Sequence, residues 1–195
     1  MSAINFHTRE ISVKIVYYGP GLCGKTTSLQ TIFNSLPVDR RPDLVSLATE
    51  VDRTIFFDFL PVTAYRIKDF TVRLQLYTVP GQVFYNATRK LVLNGVDGLV
   101  MVLDSQDPMR DSNAESLQNL VENLHELGLE LPQVPMVFQY NKRDLSPIMS
   151  ATEMDRLYNG RQLQRFESVA TTGQGVFEAL KAISRMVVND LMRKG

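Results

Sequence analysis

Two kinds of hydrophobic pattern alternate along the chain. Runs rich in β-branched and aromatic residues predict six strands, at residues 11–18, 54–62, 70–79, 98–104, 135–141 and 165–170. Apolar residues that recur every three or four positions predict helices at residues 25–36, 112–127, 154–158 and 176–192. Because strands and helices alternate, the order predicts an α/β fold with a central, mostly parallel sheet and helices on both faces.

The strands at 54–62 and 70–79 depart from this alternation. About seven polar or mixed residues separate them, a spacing that favours a hairpin. One of the six strands is therefore expected to run antiparallel. The segment 37–53 has several charges and weak periodicity, which is typical of a long functional connection. With no repeat, low-complexity tract or linker, residues 1–195 are expected to form a single domain.

Composition narrows the function classes. A chain of 195 residues with 44% hydrophobic and 22% charged residues is ordinary for a soluble globular protein. Its 21 basic and 21 acidic residues give zero formal net charge, which provides no steering toward nucleic acid or anionic lipid. No export signal, bilayer-spanning stretch or lipidation motif is visible, so we expect a cytoplasmic protein without a direct lipid anchor.

The segment between the first strand and the first helix matches the pattern G-x-x-x-x-G-K-[ST]. Its residues are Gly19, Pro20, Gly21, Leu22, Cys23, Gly24, Lys25 and Thr26. Such a loop directs backbone N–H groups at the α- and β-phosphates, at the positive end of the helix dipole. Lys25 is expected on the β- and γ-phosphates, the Thr26 hydroxyl on Mg²⁺ and Thr27 on the α-phosphate. The alternative is a glycine-rich turn before a capped helix.

Cys23 is the single cysteine of the chain, so an internal disulfide is excluded. A position near a helix N-terminus lowers a thiol pKa and allows a reactive thiol. A loop cysteine flanked by backbone contacts is more often passive, and we favour that interpretation.

A second motif follows the strand at 135–141 and reads Asn141, Lys142, Arg143 and Asp144. The Asp144 carboxylate can accept two hydrogen bonds from guanine, from N1–H and the 2-amino group, which adenine lacks. Asn141 is expected to bridge the phosphate loop and the base edge, and the Lys142 stem to stack on the ring. Alone, the tetrapeptide is no more than a polar turn at the end of a strand, but together with the phosphate loop it predicts guanine-nucleotide binding.

With both motifs at strand ends, the chain resembles the Ras-like small GTPases over nearly its full length. This resemblance implies the P-loop NTPase fold of a Ras-like G domain, with Ala170 as a further base contact through its backbone N–H. A closer resemblance, to the bacterial MglA-type polarity GTPases, rests on the segments Lys14–Thr27, Asp52–Leu60 and Leu76–Tyr85. In that family the usual Asp-x-x-Gly of switch two becomes Thr-x-x-Gly, as at Thr78 to Gly81 here.

The resemblance also implies roles for residues of the two switches. Gly81 matches the backbone donor to the γ-phosphate, and Gln82 matches the residue that orients the attacking water. Thr54, with Thr49 as the alternative, is expected to sense Mg²⁺ and the γ-phosphate, so that Thr26 and Thr54 are the metal ligands. A threonine at position 78 offers Mg²⁺-bound water only a neutral hydrogen bond, where an aspartate would offer a charged one.

Two charged residues could supply charge that the site otherwise lacks, one near Thr78 and one at the phosphates. Asp58 could restore negative charge near Thr78, but a solvent-facing strand residue is the interpretation we favour, and Asp58 is left out of the predicted site. Arg53 could reach the β/γ-bridging oxygen as an arginine finger supplied in cis, and a solvated loop charge is the alternative.

The sequence therefore predicts an enzyme that acts as a switch: it binds GTP or GDP with Mg²⁺, hydrolyses GTP and recruits effectors in the GTP state. The alternatives are a nucleotide-gated scaffold with negligible turnover and a P-loop kinase, which Asp144 disfavours. The MglA-type resemblance implies control of polarity, gliding and type IV pilus motility. Its implied partners are a Roadblock-domain GTPase-activating protein of the MglB type, an exchange factor and effectors at a cell pole, with a monomer in their absence.

Overall fold

One sheet organises the computed structural model, which describes residues 3–37, 45–48, 54–67 and 69–194 and has eight strands within them. The strands are β1 Ala3–Asn5, β2 Glu10–Tyr18, β3 Val45–Ala48, β4 Thr54–Ile67, β5 Phe70–Thr78, β6 Gly98–Asp104, β7 Met136–Asn141 and β8 Arg165–Glu167. Their order is β3-β4-β5-β2-β6-β7-β8, and β1 pairs with the start of β2. The pairs among β5, β2, β6, β7 and β8 are parallel.

The predicted fold class is confirmed. The six predicted strands correspond to β2 and to β4 through β8, and β4 runs antiparallel to β5 in the expected hairpin. A register shift between Thr63 and Tyr65 interrupts the alternation of β4, which explains why the prediction ended this strand at Val62. The strands β1 and β3 were not predicted, because three or four residues are too few for alternation to be a usable pattern.

Five α-helices surround the sheet in the described part of the chain: α1 Lys25–Ser35, α2 Asn86–Leu93, α3 Arg110–Glu126, α4 Ala151–Tyr158 and α5 Val176–Lys194. A short 3-10 turn at Val83–Tyr85 precedes α2. Helix α2 was missed, because its buried face consists of Arg89, Val92 and Leu93, and a buried arginine interrupts the apolar pattern on which helix prediction depends. None of the described helices is both long and apolar enough to cross a membrane.

The core has two layers, one on each face of the sheet. On β6, Val100 and Val102 belong to the layer that α1 and α5 cover. Leu99, Met101 and Leu103 belong to the opposite layer, under α2, α3 and α4. Every residue of β6 and β7 is buried, as expected for central parallel strands covered on both faces. Because β6 and β7 are parallel, the polar residues at their carboxyl ends meet at one edge of the sheet.

Candidate nucleotide-binding site

The candidate site lies at the carboxyl ends of the parallel strands. The phosphate loop follows β2, Asp104 ends β6, and Asn141 ends β7. Open α/β sheets bind their ligands at this edge, because the loops that leave neighbouring strands converge there. The topology thus brings together two motifs that are more than a hundred residues apart in the sequence, as the bond from Asn141 to Cys23 illustrates.

The phosphate loop is a tightly packed turn. A Cβ atom on Gly19 would lie 2.1 Å from the carbonyl oxygen of Val102, so only glycine fits there. Gly24 precedes α1 with a φ of 101°, a left-handed conformation that glycine adopts without strain. Thr26 and Thr27 lie in the first turn of α1, at the positive end of the helix dipole, which favours an anion.

Lys25 is buried under this turn. Its Nζ donates hydrogen bonds to the carbonyl oxygens of Gly19 at 3.0 Å and Pro20 at 2.6 Å. Burial lowers the pKa of Lys25, because the surroundings disfavour its charge, and the neighbouring Cys23 partly opposes this effect. These carbonyls and the Cys23 sulfur, which lies 3.7 Å from Nζ, carry no formal charge, and a phosphate at the loop would supply a negative one.

Cys23 is fully buried and not disulfide-bonded. Burial raises the pKa of its thiol, and the charge of Lys25 opposes the shift without reversing it. A thiol with a raised pKa is mostly protonated at neutral pH and is a poor nucleophile. The geometry therefore favours the passive interpretation of Cys23.

Asn141 joins the phosphate loop to the end of the sheet. Its Nδ2 donates to the Cys23 carbonyl oxygen at 2.8 Å, and its Oδ1 accepts from the backbone N–H of Ala170 at 2.9 Å. Ser168 donates to the same Oδ1 at 3.1 Å. Because Ala170 already donates to Asn141, its predicted bond to the guanine oxygen requires either a shared hydrogen bond or a shift of that amide.

Lys142 forms an ion pair with a residue that the sequence analysis missed. Its Nζ lies 2.7 Å from the Asp104 Oδ2, and the Asp104 side chain is 1% exposed. The backbone of Asp104 is fixed by the Asn113 amide, which accepts from its N–H and donates to its carbonyl. The only indication in the sequence is an aspartate at the end of an otherwise apolar strand. Asp144 is exposed at the same edge, so its carboxylate is open to a ligand.

Asp58 lies at the opposite end of the phosphate loop and is 1% exposed. Its Oδ2 accepts hydrogen bonds from the hydroxyls of Thr26 at 2.6 Å and Thr78 at 2.8 Å. The interpretation of Asp58 as a solvent-facing residue is therefore wrong. The alternation of β4 could have indicated this, since Asp58 shares a face with the buried Leu60 and Val62.

Comparisons with known proteins identify the family to which this architecture belongs. The model of the ADP-ribosylation factor family matches residues 2–187. The mutual gliding-motility protein MglA of Myxococcus xanthus is 53% identical over 195 residues, which is 100% of both chains. The Ras-related protein Rab-4B, from rat and from human, is 27% identical over 124 residues, which is 62% of this chain and 55% of the relative.

This chain is a Ras-like small GTPase. The predicted family membership is confirmed, both for the Ras-like superfamily and for the MglA type. The family binds guanine nucleotides and hydrolyses GTP, and these two properties belong to this GTPase as well.

In this GTPase, hard oxygen donors gather around the Thr26 hydroxyl. They comprise one carboxylate, on Asp58, and two hydroxyls, on Thr26 and Thr78. Mg²⁺ prefers such oxygens and is held in nucleotide sites by one or two protein groups together with phosphates and water. The residues thus fit a magnesium ion. Among the residues that the structure covers, no group of three or more His, Cys, Asp or Glu forms a dedicated metal cage.

The predicted switch residues of this GTPase are only partly visible. Gly81 packs on the phosphate loop, since a Cβ atom on it would lie 2.3 Å from the Cα of Gly21. Gln82 follows with an exposed side chain. Thr54 begins β4, at the antiparallel pair with Ala48. Arg53 and Thr49 fall outside the described residues, so their roles stay predictions.

Proposed function

We propose that this GTPase is a molecular switch, built as one G domain of residues 1–195, that controls polarity and motility in a bacterial cell. The observation that carries the switch is the contact of Gly81 with Gly21 of the phosphate loop. A backbone segment in contact with the phosphate loop can respond to the presence of a γ-phosphate. The motility role rests on the similarity of this chain, over its whole length, to the mutual gliding-motility protein MglA.

The nucleotide is held in the following way under this proposal. Residues Gly19 to Thr27 surround the phosphates, and Lys25 neutralises the β- and γ-phosphates. Asn141, Lys142, Asp144 and the Ala170 amide bind the guanine. The Thr26 and Thr54 hydroxyls would hold Mg²⁺, and Asp58, bonded to Thr26 and Thr78, would supply the carboxylate charge that the usual switch-two aspartate provides. The short bonds from Thr26 and Thr78 to Asp58 support this assignment.

Hydrolysis is assigned to Gln82 and Arg53. Gln82 orients the attacking water, and Arg53 places a guanidinium on the charge that develops at the phosphates. Turnover is slow alone and is stimulated by a Roadblock-domain partner of the MglB type, which orders both residues. The adjacency of Gln82 to Gly81, which contacts the phosphate loop, supports this assignment.

Base recognition is tested by titration calorimetry with GTP and ATP. The wild type is expected to bind GTP and to show no measurable ATP binding. Asp144→Asn should weaken GTP binding by about 100-fold, because an amide cannot accept both guanine hydrogen bonds. Asp107→Asn, an exposed acidic residue after β6, is the matched control and should bind GTP as the wild type does. ATP binding as tight as GTP binding would favour the kinase alternative.

The arginine finger is tested by single-turnover hydrolysis with the stimulating partner. Arg53→Ala should lower the stimulated rate by about a thousandfold and leave GTP affinity nearly unchanged, since the finger acts on transition-state charge. Arg66→Ala, at an exposed arginine of β4, controls for the lost charge. Equal stimulated rates for Arg53→Ala and the wild type would rule out the finger.

The alternative function is a nucleotide-gated scaffold with negligible turnover, and the threonine at position 78 favours it. In either case we propose a cytoplasmic protein that reaches a cell pole through effectors and an exchange factor. A fluorescent fusion of the wild type is expected at a pole, and the Gln82→Ala fusion should stay there longer because GTP hydrolysis is slowed. Identical distributions, with no phosphate release from GTP in the presence of the partner, would favour the scaffold.

A further inference from the structure

Arg89, on α2, is the largest of the fully buried side chains and is 0% exposed. Its guanidinium donates to neutral groups, two carbonyls, the Asn119 amide and the Tyr18 hydroxyl, and among the residues that the structure describes no carboxylate forms an ion pair with it. A buried charge without a counter-ion costs several kcal/mol, even with hydrogen bonds to soften the cost. Such an arginine calls for a functional explanation, because a leucine would pack in a core at lower cost.

Two of its bonds hold the backbone of switch two. Nε donates to the carbonyl oxygen of Pro80 at 2.9 Å, and Nη2 donates to that of Gly81 at 2.6 Å. The planar guanidinium therefore fixes two successive carbonyls at once, which a lysine cannot do with one rotating ammonium.

These bonds determine which way the Gly81 amide points. In a trans peptide the N–H is directed opposite to the carbonyl of the preceding residue. The peptide between Pro80 and Gly81 is trans, because the cis bond in the described chain is Ser146–Pro147. With the Pro80 carbonyl turned toward Arg89, the Gly81 N–H points away from it, and Gly81 packs on Gly21 of the phosphate loop.

The other side of the guanidinium is held by residues outside switch two. Nη1 donates to the Asn119 Oδ1 at 2.7 Å, and the guanidinium carbon lies 5.0 Å from the centre of the Tyr18 ring. The Tyr18 hydroxyl donates to the same Asn119 oxygen at 2.6 Å and accepts from Asn123 at 3.0 Å. Arg89 is thus anchored to β2 and α3, two elements of the core.

We propose that Arg89 is a positioning residue that directs the Gly81 amide at the γ-phosphate, and that it thereby sets the preference for GTP over GDP. This inference rests on the proposed function, in which Gly81 is the γ-phosphate donor. Arg89 does not touch the nucleotide. It acts through the Pro80 and Gly81 carbonyls, with Asn119 and Tyr18 holding it in place.

The test compares the affinities of GDP and of a slowly hydrolysed GTP analogue, with Mg²⁺, for the full chain. Arg89→Gln should leave the GDP dissociation constant within about threefold of the wild type and raise that of the GTP analogue about tenfold, which is the loss of one good charge-assisted hydrogen bond. Arg89→Lys should raise it less, because an ammonium can still hold one carbonyl. Single-turnover GTP hydrolysis should slow in the same order.

Tyr158→Phe, on α4, is the matched control, since it removes the hydroxyl of a buried tyrosine, which donates to the Arg110 carbonyl at 3.1 Å, and leaves every bond of Arg89 intact. It should lower the thermal unfolding temperature without changing the ratio of the two affinities. If Arg89→Gln leaves the ratio of the GDP and GTP-analogue dissociation constants unchanged, whether both affinities weaken equally or neither weakens, the proposal is overturned. If Arg89→Gln does not fold, Arg89→Lys decides by the same ratio. A wild type that binds neither nucleotide would instead overturn the proposed function.

Discussion

The two halves of the nucleotide site are built differently. On the base side, buried and half-buried side chains connect α1 to β7 and to the loop after β8. Thr31 of α1 donates to the Ala170 carbonyl at 2.6 Å, and Gln139 of β7 donates to the Ser28 hydroxyl at 3.0 Å, in addition to the bonds of Asn141. On the switch side, Gln82 is exposed, and Phe84, two residues further along the chain, is 89% exposed.

This difference corresponds to what each half has to do. Guanine and the two inner phosphates are the same in GTP and GDP, so the groups that bind them gain from being held rigidly in both states. The γ-phosphate is present in only one state, and the segment that responds to it must be able to change. Within the described part of the chain, the buried Arg89 connects the switch segment to α3, and the buried Asp58 connects it to the start of α1.

The largest expected loss of nucleotide affinity comes from a change at Asn141, on the base side. Asn141→Ala leaves the Cys23 carbonyl and the Ala170 amide without their buried partner, at a cost of about 3 kcal/mol, so affinity for GDP and for a GTP analogue should fall about 100-fold alike. Fluorescence titration with each nucleotide measures both constants. Asn159→Ala, which removes a buried asparagine bonded to Leu163 far from the site, is the matched control. If the variant weakened GTP binding alone, the base side would not be the common anchor.

The next effect in size concerns magnesium. Asp58→Asn removes the negative charge that Thr26 and Thr78 share, so affinity for the GTP analogue in the presence of Mg²⁺ should fall about tenfold. In the presence of a chelator the variant and the wild type should bind alike, because the phosphate and guanine contacts are unchanged. Titration of the analogue at several Mg²⁺ concentrations measures this.

A double variant sharpens the test of Asp58. Thr78→Asp alone places a second carboxylate against the first, and like charges at that distance repel. Combining it with Asp58→Asn moves the single negative charge back to the usual position and should restore the Mg²⁺ dependence of the wild type. An Mg²⁺ dependence unaffected by either change would remove Asp58 and Thr78 from the metal site.

The contiguous parts of this architecture were predictable, and the parts assembled from distant segments were not. The phosphate loop and the motif at Asn141 each lie within eight residues or fewer, so the spacing in the sequence is the spacing in the site. Asp58 acts on Thr78, Arg89 on Asn119, and Asp104 on Lys142. These pairs come together only when the strands align and the helices pack against the sheet.

The same distinction applies to the secondary structure. Six strands with clear hydrophobic character were predicted, whereas β1 and β3 depend on pairing with a neighbour rather than on a pattern of their own. Helix α2 was hidden by Arg89, the residue that connects it to switch two. The prediction failed at a polar residue in the core, where a functional role competes with the rules that specify the fold.

The smallest expected effect comes from Asp104, which orients a base-binding residue without belonging to either motif. Asp104→Asn leaves the shape of the side chain but removes the charge that holds the Lys142 ammonium 2.7 Å away. Lys142 remains partly exposed, so the loss should be about 1 kcal/mol, or about a fivefold weaker affinity for GDP and for a GTP analogue alike. Asn113→Ala is a useful comparison, because it removes the amide that fixes the backbone of Asp104 and spares the ion pair. If Asp104→Asn weakened only GTP binding, Asp104 would belong functionally to the switch side, and the division between the two halves would have to be redrawn through β6.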